Sequence, residues 1–105
     1  MEFLVEFDVH VPEHASAIEV EVRTTDEAAA AARLVRDGHL VRLWKPPAEP
    51  GETKALGLYR AASEAELDLL LGALPLYDWM RVTVTALEPH PNDPLARTSV
   101  SSAAG

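Results

Sequence analysis

The side chains of this 105-residue chain that could do chemistry are carboxylates, imidazoles, phenols and a few cations, with no cysteine to act as a thiolate nucleophile or soft metal ligand. Such a set suits proton transfer and the holding of an anion. His10, His39 and His90 could each donate or relay protons, but their spacings match no metal-binding pattern such as His-Glu-x-x-His, and scattered surface histidines are the simpler account. Arg42 and Lys45 stand three positions apart on a short apolar stretch, a spacing that points them to opposite faces of a strand, so only one can easily face a given pocket. Arg42 offers the planar fork that matches a carboxylate, although an ion pair with one of the many acids would occupy either cation as well. Tyr59 and Tyr77 offer phenolic donors. Trp44, Trp79 and Tyr77 equally suit packing at a subunit boundary. The few glycines sit at apparent turns and form no phosphate-cradling cluster.

Size and charge narrow the setting for that chemistry. A chain of 105 residues makes one core, and an apolar fraction of 48% with 25% charged residues is ordinary for a globular domain. The formal charge of −8, with no local cluster of Lys or Arg, argues against nucleic acid and anionic membranes as partners. Met1-Glu2-Phe3-Leu4 alternates with acids at once and carries no basic, apolar leader, and no apolar run reaches spanning length, so a cytoplasmic protein is the default expectation.

These residues must be positioned by elements that can be read from periodicity. Phe3, Val5, Phe7, Val9 and Val11 alternate with Leu4, Glu6, Asp8 and His10, which predicts a strand with one core face ended by Pro12. A long helix is expected from about Ser16 to Asp37, with Thr24-Thr25 the place for any irregularity and Asp37-Gly38 its stop. A strand over His39–Lys45, a loop through Pro46-Pro47 and Gly51, and a hairpin partner over Thr53–Arg60 follow. Ser63 and Glu66 fit a capping box for a helix over about Glu64–Ala73 carrying Leu67, Leu70, Leu71 and Leu74 on one side. Met80, Val82, Val84 and Ala86 then line one face of a last strand. The order βαββαβ predicts an α+β, ferredoxin-like fold: a four-stranded antiparallel sheet with two helices on one face. Because Leu40, Leu43, Trp44, Leu56 and Leu58 place apolar groups on both faces, a second copy is the expected cover for the open one. The domain is expected over 1–91, followed over 92–105 by an extended or disordered tail.

One family fits this layout. Gly38 to Lys45, Ser63 to Leu67, the run Leu74-Pro75-Leu76-Tyr77-Asp78-Trp79-Met80, Leu87 and His90-Pro91 resemble the muconolactone Δ-isomerases, which carry a Gly before a Leu-Trp-basic strand, a Leu-Pro-Leu-aromatic-x-aromatic-Met turn and a terminal His-Pro. The resemblance runs from Met1 to about Pro91. The chain departs from it at Leu40-Val41-Arg42, where the family has Trp-Arg-His, and by a short insertion in Pro46 to Glu52.

The resemblance implies a dimeric α+β barrel and a cofactor-free, metal-free enzyme that shifts a ring double bond in a small carboxymethyl-butenolide, within aromatic catabolism of the catechol and 3-oxoadipate kind. Such a reaction wants a proton carrier with a raised pKa, a donor for a developing oxyanion and a cation for the substrate carboxylate. The resemblance points to Glu27 as the carrier, with Asp26 as the alternative; the Ala run that follows would help to bury it, and a solvated helix carboxylate is the bland reading. Arg42 or Lys45 would hold the carboxylate, and Tyr59, Trp44, Tyr77 and His90 would line the substrate, His90 chiefly by fixing the C-terminal arm. Homo-oligomers are implied, dimers or rings of dimers, with the pocket at the interface. A non-catalytic small-molecule-binding or accessory subunit, and a cofactor-independent monooxygenase or cyclase, are the alternatives from other classes.

Overall fold

The alternating apolar positions at the N-terminus form β1 (Glu2–Val9) in the computed structural model, which describes residues 1–95. Phe3, Val5 and Phe7 are buried and Glu6 between them is exposed, so period two translates directly into one core face. The strand stops two residues before the expected Val11. The His10 N–H still donates to the Trp79 carbonyl at 2.6 Å, but the pairing goes no further and Val11 is exposed.

Helix α1 (Ala17–Arg36) is capped by Ser16, whose hydroxyl accepts from the Glu19 N–H at 3.0 Å. It ends where Gly38 takes φ +80°, the left-handed conformation that lets the His39 N–H reach back to the Leu34 carbonyl at 2.9 Å. Thr24-Thr25 causes no break. The Thr24 hydroxyl donates to the Val20 carbonyl at 2.7 Å, a bond along the helix that leaves the ladder continuous. Ala30 and Leu34 are buried, and Arg23, Glu27 and Ala31 are partly buried on the same stripe, while Ile18, Val22 and Val35 remain exposed.

Strands β2 (Leu40–Trp44), β3 (Thr53–Arg60) and β4 (Met80–Leu87) complete a four-stranded antiparallel sheet in the order β2-β3-β1-β4. Helix α2 (Glu64–Gly72) follows β3, and a short 3-10 turn over Tyr77–Trp79 leads into β4. The expected ferredoxin-like βαββαβ fold is thus present, with β3 and β4 at the expected bounds. Phe3 and Val5 from the sheet meet Leu34 from α1 and Leu67, Leu71 and Leu74 from the α2 region in one core, which places both helices on one face. Full burial stabilises by roughly 1.5–3 kcal/mol for each such large side chain. At the start of α2 the Ser63 hydroxyl accepts from the Glu66 N–H at 3.1 Å, but the Glu66 carboxylate turns to the Ala62 N–H at 2.8 Å, one residue upstream of the cap itself.

The registers sort the remaining sheet residues. Leu40 pairs with Tyr59 and Leu43 with Gly57 on the helix side, whereas Arg42 pairs with Leu58 and Trp44 with Leu56 on the open side. Strict alternation would put Leu40 and Arg42 on one face; the pairing slips by one residue between them, and Val41 absorbs the difference. Among the described residues no helix is long and apolar enough to cross a membrane. The tail expected over 92–105 lies mostly outside the described residues, which end in a tight turn where the Asp93 N–H donates to the His90 carbonyl at 2.8 Å.

Candidate active site

Glu27 is carried to the helix–sheet interface by helical spacing, since it lies three residues before Ala30 and seven before Leu34, both buried. Its Oε1 accepts the Leu76 N–H at 3.0 Å, and among the described residues nothing bonds to Oε2. Partial burial pushes its pKa above the ordinary 4.5, and the Leu76 N–H pulls it part of the way back. Asp26, one residue earlier, is exposed.

Tyr59 meets the same region from β3. It is 3% exposed, and its ring runs back over Gly57, where any Cβ would lie 2.5 Å from the ring; its edge contact with Phe7 has centroids 6.0 Å apart. Gly57 therefore makes room for the phenol. Burial, and secondarily the negative charge of Glu27, push the Tyr59 pKa up to about 12, so the hydroxyl stays protonated and able to donate across the neutral range.

A residue not singled out by sequence reasoning completes this group. Arg23, one helical turn before Glu27, donates from Nη1 to the Pro75 carbonyl at 3.1 Å, and its guanidinium lies 4.4 Å from the centre of the Trp79 ring. Arg23 and Glu27 thus grip the two ends of one peptide group, the Pro75 C=O and the Leu76 N–H. The i, i+4 spacing on the buried stripe was the available signal. Trp79 is buried against its own chain.

The other candidates lie elsewhere. Arg42 stacks on Trp44 at 5.0 Å on the open face, across the sheet from Glu27, and both are exposed. Lys45 is exposed at the end of β2. Neither cation pairs with a carboxylate among the described residues, so the surface ion pairs considered for them are not formed. Tyr77 is exposed in the 3-10 turn, and His90 is exposed with its Nδ1 accepting the Asn92 N–H at 2.9 Å. His39 bonds through Nδ1 to the Arg60 carbonyl at 2.8 Å, and His10 faces Asp8 at 3.2 Å. Within one chain the structure brings Glu27 and Tyr59 together and leaves Arg42 and Trp44 on the other side of the sheet.

A separate cavity of about 230 Å³ is lined by Asp8, Pro46, Lys54, Leu56, Arg81 and Thr83 among others, and the Asp8 Oδ1 buried there has no hydrogen-bond partner. Among the described residues no group of three or more acids and histidines could hold a metal ion.

Comparison with known proteins bears on the family and the fold. A sequence model described as muconolactone delta-isomerase matches residues 1–93. The muconolactone Delta-isomerase of Cupriavidus pinatubonensis is 32% identical over 92 residues, covering 88% of this chain and 97% of that protein, and that of Acinetobacter baylyi is 30% identical over 92 residues, covering 88% and 93%. A crystal structure of muconolactone isomerase superposes with a TM-score of 0.77 at 29% identity, over 90% of this chain and 95% of that one. A 5-chloro-2-hydroxyhydroquinone dehydrochlorinase from Burkholderia phenoliruptrix, bound to 2,5-dihydroxybenzoquinone, shares the fold at a TM-score of 0.59 and 17% identity, over 89% and 99% of the two chains. With the match extending over both helices, all four strands and the turn that meets Glu27, this chain belongs to the muconolactone Δ-isomerase family, a family of enzymes.

Proposed function

We propose that the protein transposes the ring double bond of a small carboxymethyl-butenolide, muconolactone or a close relative, with Glu27 as the proton carrier. The observation that carries this reading is Glu27 itself: a half-buried carboxylate on the helix side of the sheet, one oxygen held by the Leu76 N–H, the other unbonded, its pKa raised by burial. A carboxylate with one oxygen free can remove an activated ring proton and return it. Oε2 takes the proton from the ring carbon that bears the side chain. Charge spreads through the double bond to the lactone carbonyl oxygen, where the protonated Tyr59 phenol donates, and the carboxyl then delivers the proton next to the carbonyl.

The substrate carboxylate requires a cation. Lys45, at the rim of β2, supplies it from the same chain, or Arg42 supplies it from a second copy, since Arg42 and Glu27 occupy opposite faces of one sheet. Tyr77 and His90 line the substrate in this reading, and Trp44 acts with Arg42. The enzyme acts as a homo-oligomer in the cytoplasm, in the catabolism of aromatic compounds, with residues 1–91 as its working domain.

The test is an assay of the purified protein with muconolactone that follows formation of the enol-lactone. The Glu27→Gln variant is expected to lose about 10²- to 10⁴-fold in kcat. Arg42→Ala and Lys45→Ala are compared for a rise in KM, which identifies the anchor. Turnover of Glu27→Gln at the native rate would refute the assignment of the base.

A further inference from the structure

We propose that Arg23 is the positioning residue of this site: by holding the Pro75 carbonyl and the Trp79 ring it sets the Leu76 N–H on Glu27 Oε1 and so aims Oε2 at the substrate. The inference rests on the reading of Glu27 as the proton carrier.

The geometry is that of a clasp around a rigid plate. A peptide group is planar, with its C=O and N–H pointing in opposite directions, so a bond at each end fixes both its position and its tilt. Arg23 takes the carbonyl at 3.1 Å and Glu27 takes the N–H at 3.0 Å. Both side chains rise from one face of α1, a single turn apart, so the plate is referred to the helix that carries the base. Pro75 restricts the backbone on one side of the plate through its ring. On the other side Trp79 is pinned twice, by the guanidinium 4.4 Å away and by the His10 N–H, which donates to its carbonyl at 2.6 Å.

Arg23 also acts electronically. A charged donor on the Pro75 carbonyl polarises the peptide, which makes the Leu76 N–H a stronger donor to a carboxylate than an unassisted amide. That strengthens the bond opposing the rise that burial imposes on Glu27. The groups set against Glu27 are the Leu76 N–H from the turn and Tyr59 from β3; Arg23, one turn earlier on the same helix, meets the other end of the same peptide, and Asp78 on that turn is exposed. A lysine could donate to Pro75, but it lacks the planar fork that both donates and stacks on indole. The exposed partner Glu19, 3.7 Å from Nη2, adds little to the hold.

The experiment measures kcat, KM and the pH profile of kcat/KM with muconolactone for the native protein, Arg23→Met, Arg23→Lys and Glu27→Gln. Methionine keeps the apolar stem and removes the donors. For Arg23→Met a loss of about tenfold or more in kcat is expected with KM little changed, because misplacing a catalytic group acts on the transition state. The acid limb of its profile moves to higher pH, since a weakened Leu76 bond leaves burial to dominate at Glu27. Arg23→Lys falls between the two. A native kcat and a native acid limb in Arg23→Met overturn the proposal, whatever happens to thermal stability. Should Arg23→Met fail to fold, the Arg23→Lys protein decides by the same readouts, and native values in both overturn it. Native turnover of Glu27→Gln instead overturns the assignment of the base, a failure that the Arg23 variants cannot mimic.

Discussion

A carboxylate on a helix rich in carboxylates gains a distinct character only from where its side chain is put. Glu27 occupies the sheet-facing stripe and its neighbour Asp26 the solvent, although the two differ by a single methylene and a single position. The consequence extends to stability. A carboxyl whose pKa is raised on folding favours the folded state while protonated; as pH climbs from the unfolded value through the raised one, the fold must hold a half-buried charge, and that share of stability is lost. Glutamine keeps an acceptor for Leu76 without the charge. Glu27→Gln should therefore match the native protein in thermal unfolding at about pH 4 and exceed it at about pH 8, a gain in stability at the expense of activity. An equal Tm at both pH values would mean that burial does not oppose the charge. Resemblance singled out Glu27 in the sequence. Arg23 remained hidden because the i, i+4 spacing places it on the buried stripe beside Glu27 but does not announce its contact with a carbonyl 52 residues away.

At the scale of the elements, periodicity and caps carried most of the information. The period-two run gave β4 its observed bounds and the hairpin reading gave β3 its own, and Asp37-Gly38 marked the end of α1 through the left-handed turn that glycine permits. The errors lie where the partner strand, and not the local pattern, decides the outcome. Val9 and Val11 continue the alternation, but the partner of β1 turns away in the 3-10 segment that ends at Trp79, so the pairing ends after the His10 N–H. The slip in β2 was equally invisible, because one extra residue in an apolar run leaves no mark in composition. The cap on α2 is local enough to test. Ser63→Ala removes the acceptor for the Glu66 N–H and should destabilise the protein by about 1 kcal/mol in urea unfolding with turnover unchanged, since the cap stands at the opposite end of α2 from the turn that bonds Glu27. A loss in turnover without a loss in stability would show α2 to be coupled to the site.

For the whole molecule the open face of the sheet sets the next question. Leu4, Leu56 and Leu58 are partly buried there and Trp44 is exposed, between Arg42, Arg60 and Arg81 on one side of the charge balance and Glu2, Glu6 and Asp8 on the other. A mixed apolar and charged surface of this kind suits a second copy of itself, and a dimer is the proposed state. Light scattering on a sizing column should give at least twice the monomer mass at micromolar concentration, and Leu58→Glu, opposite Leu4 and Arg42, should shift it to monomer. A native protein that runs as a monomer would sink the proposal. The manner of association is also constrained by the slip between Leu40 and Arg42. An outer strand with free backbone groups invites any other strand to zip along it, and a one-residue kink followed by Pro46-Pro47 spoils that template. Crowded copies of this chain are thereby steered away from growing edge upon edge into fibrils, and the residue of slack at Val41 protects solubility as well as orientation.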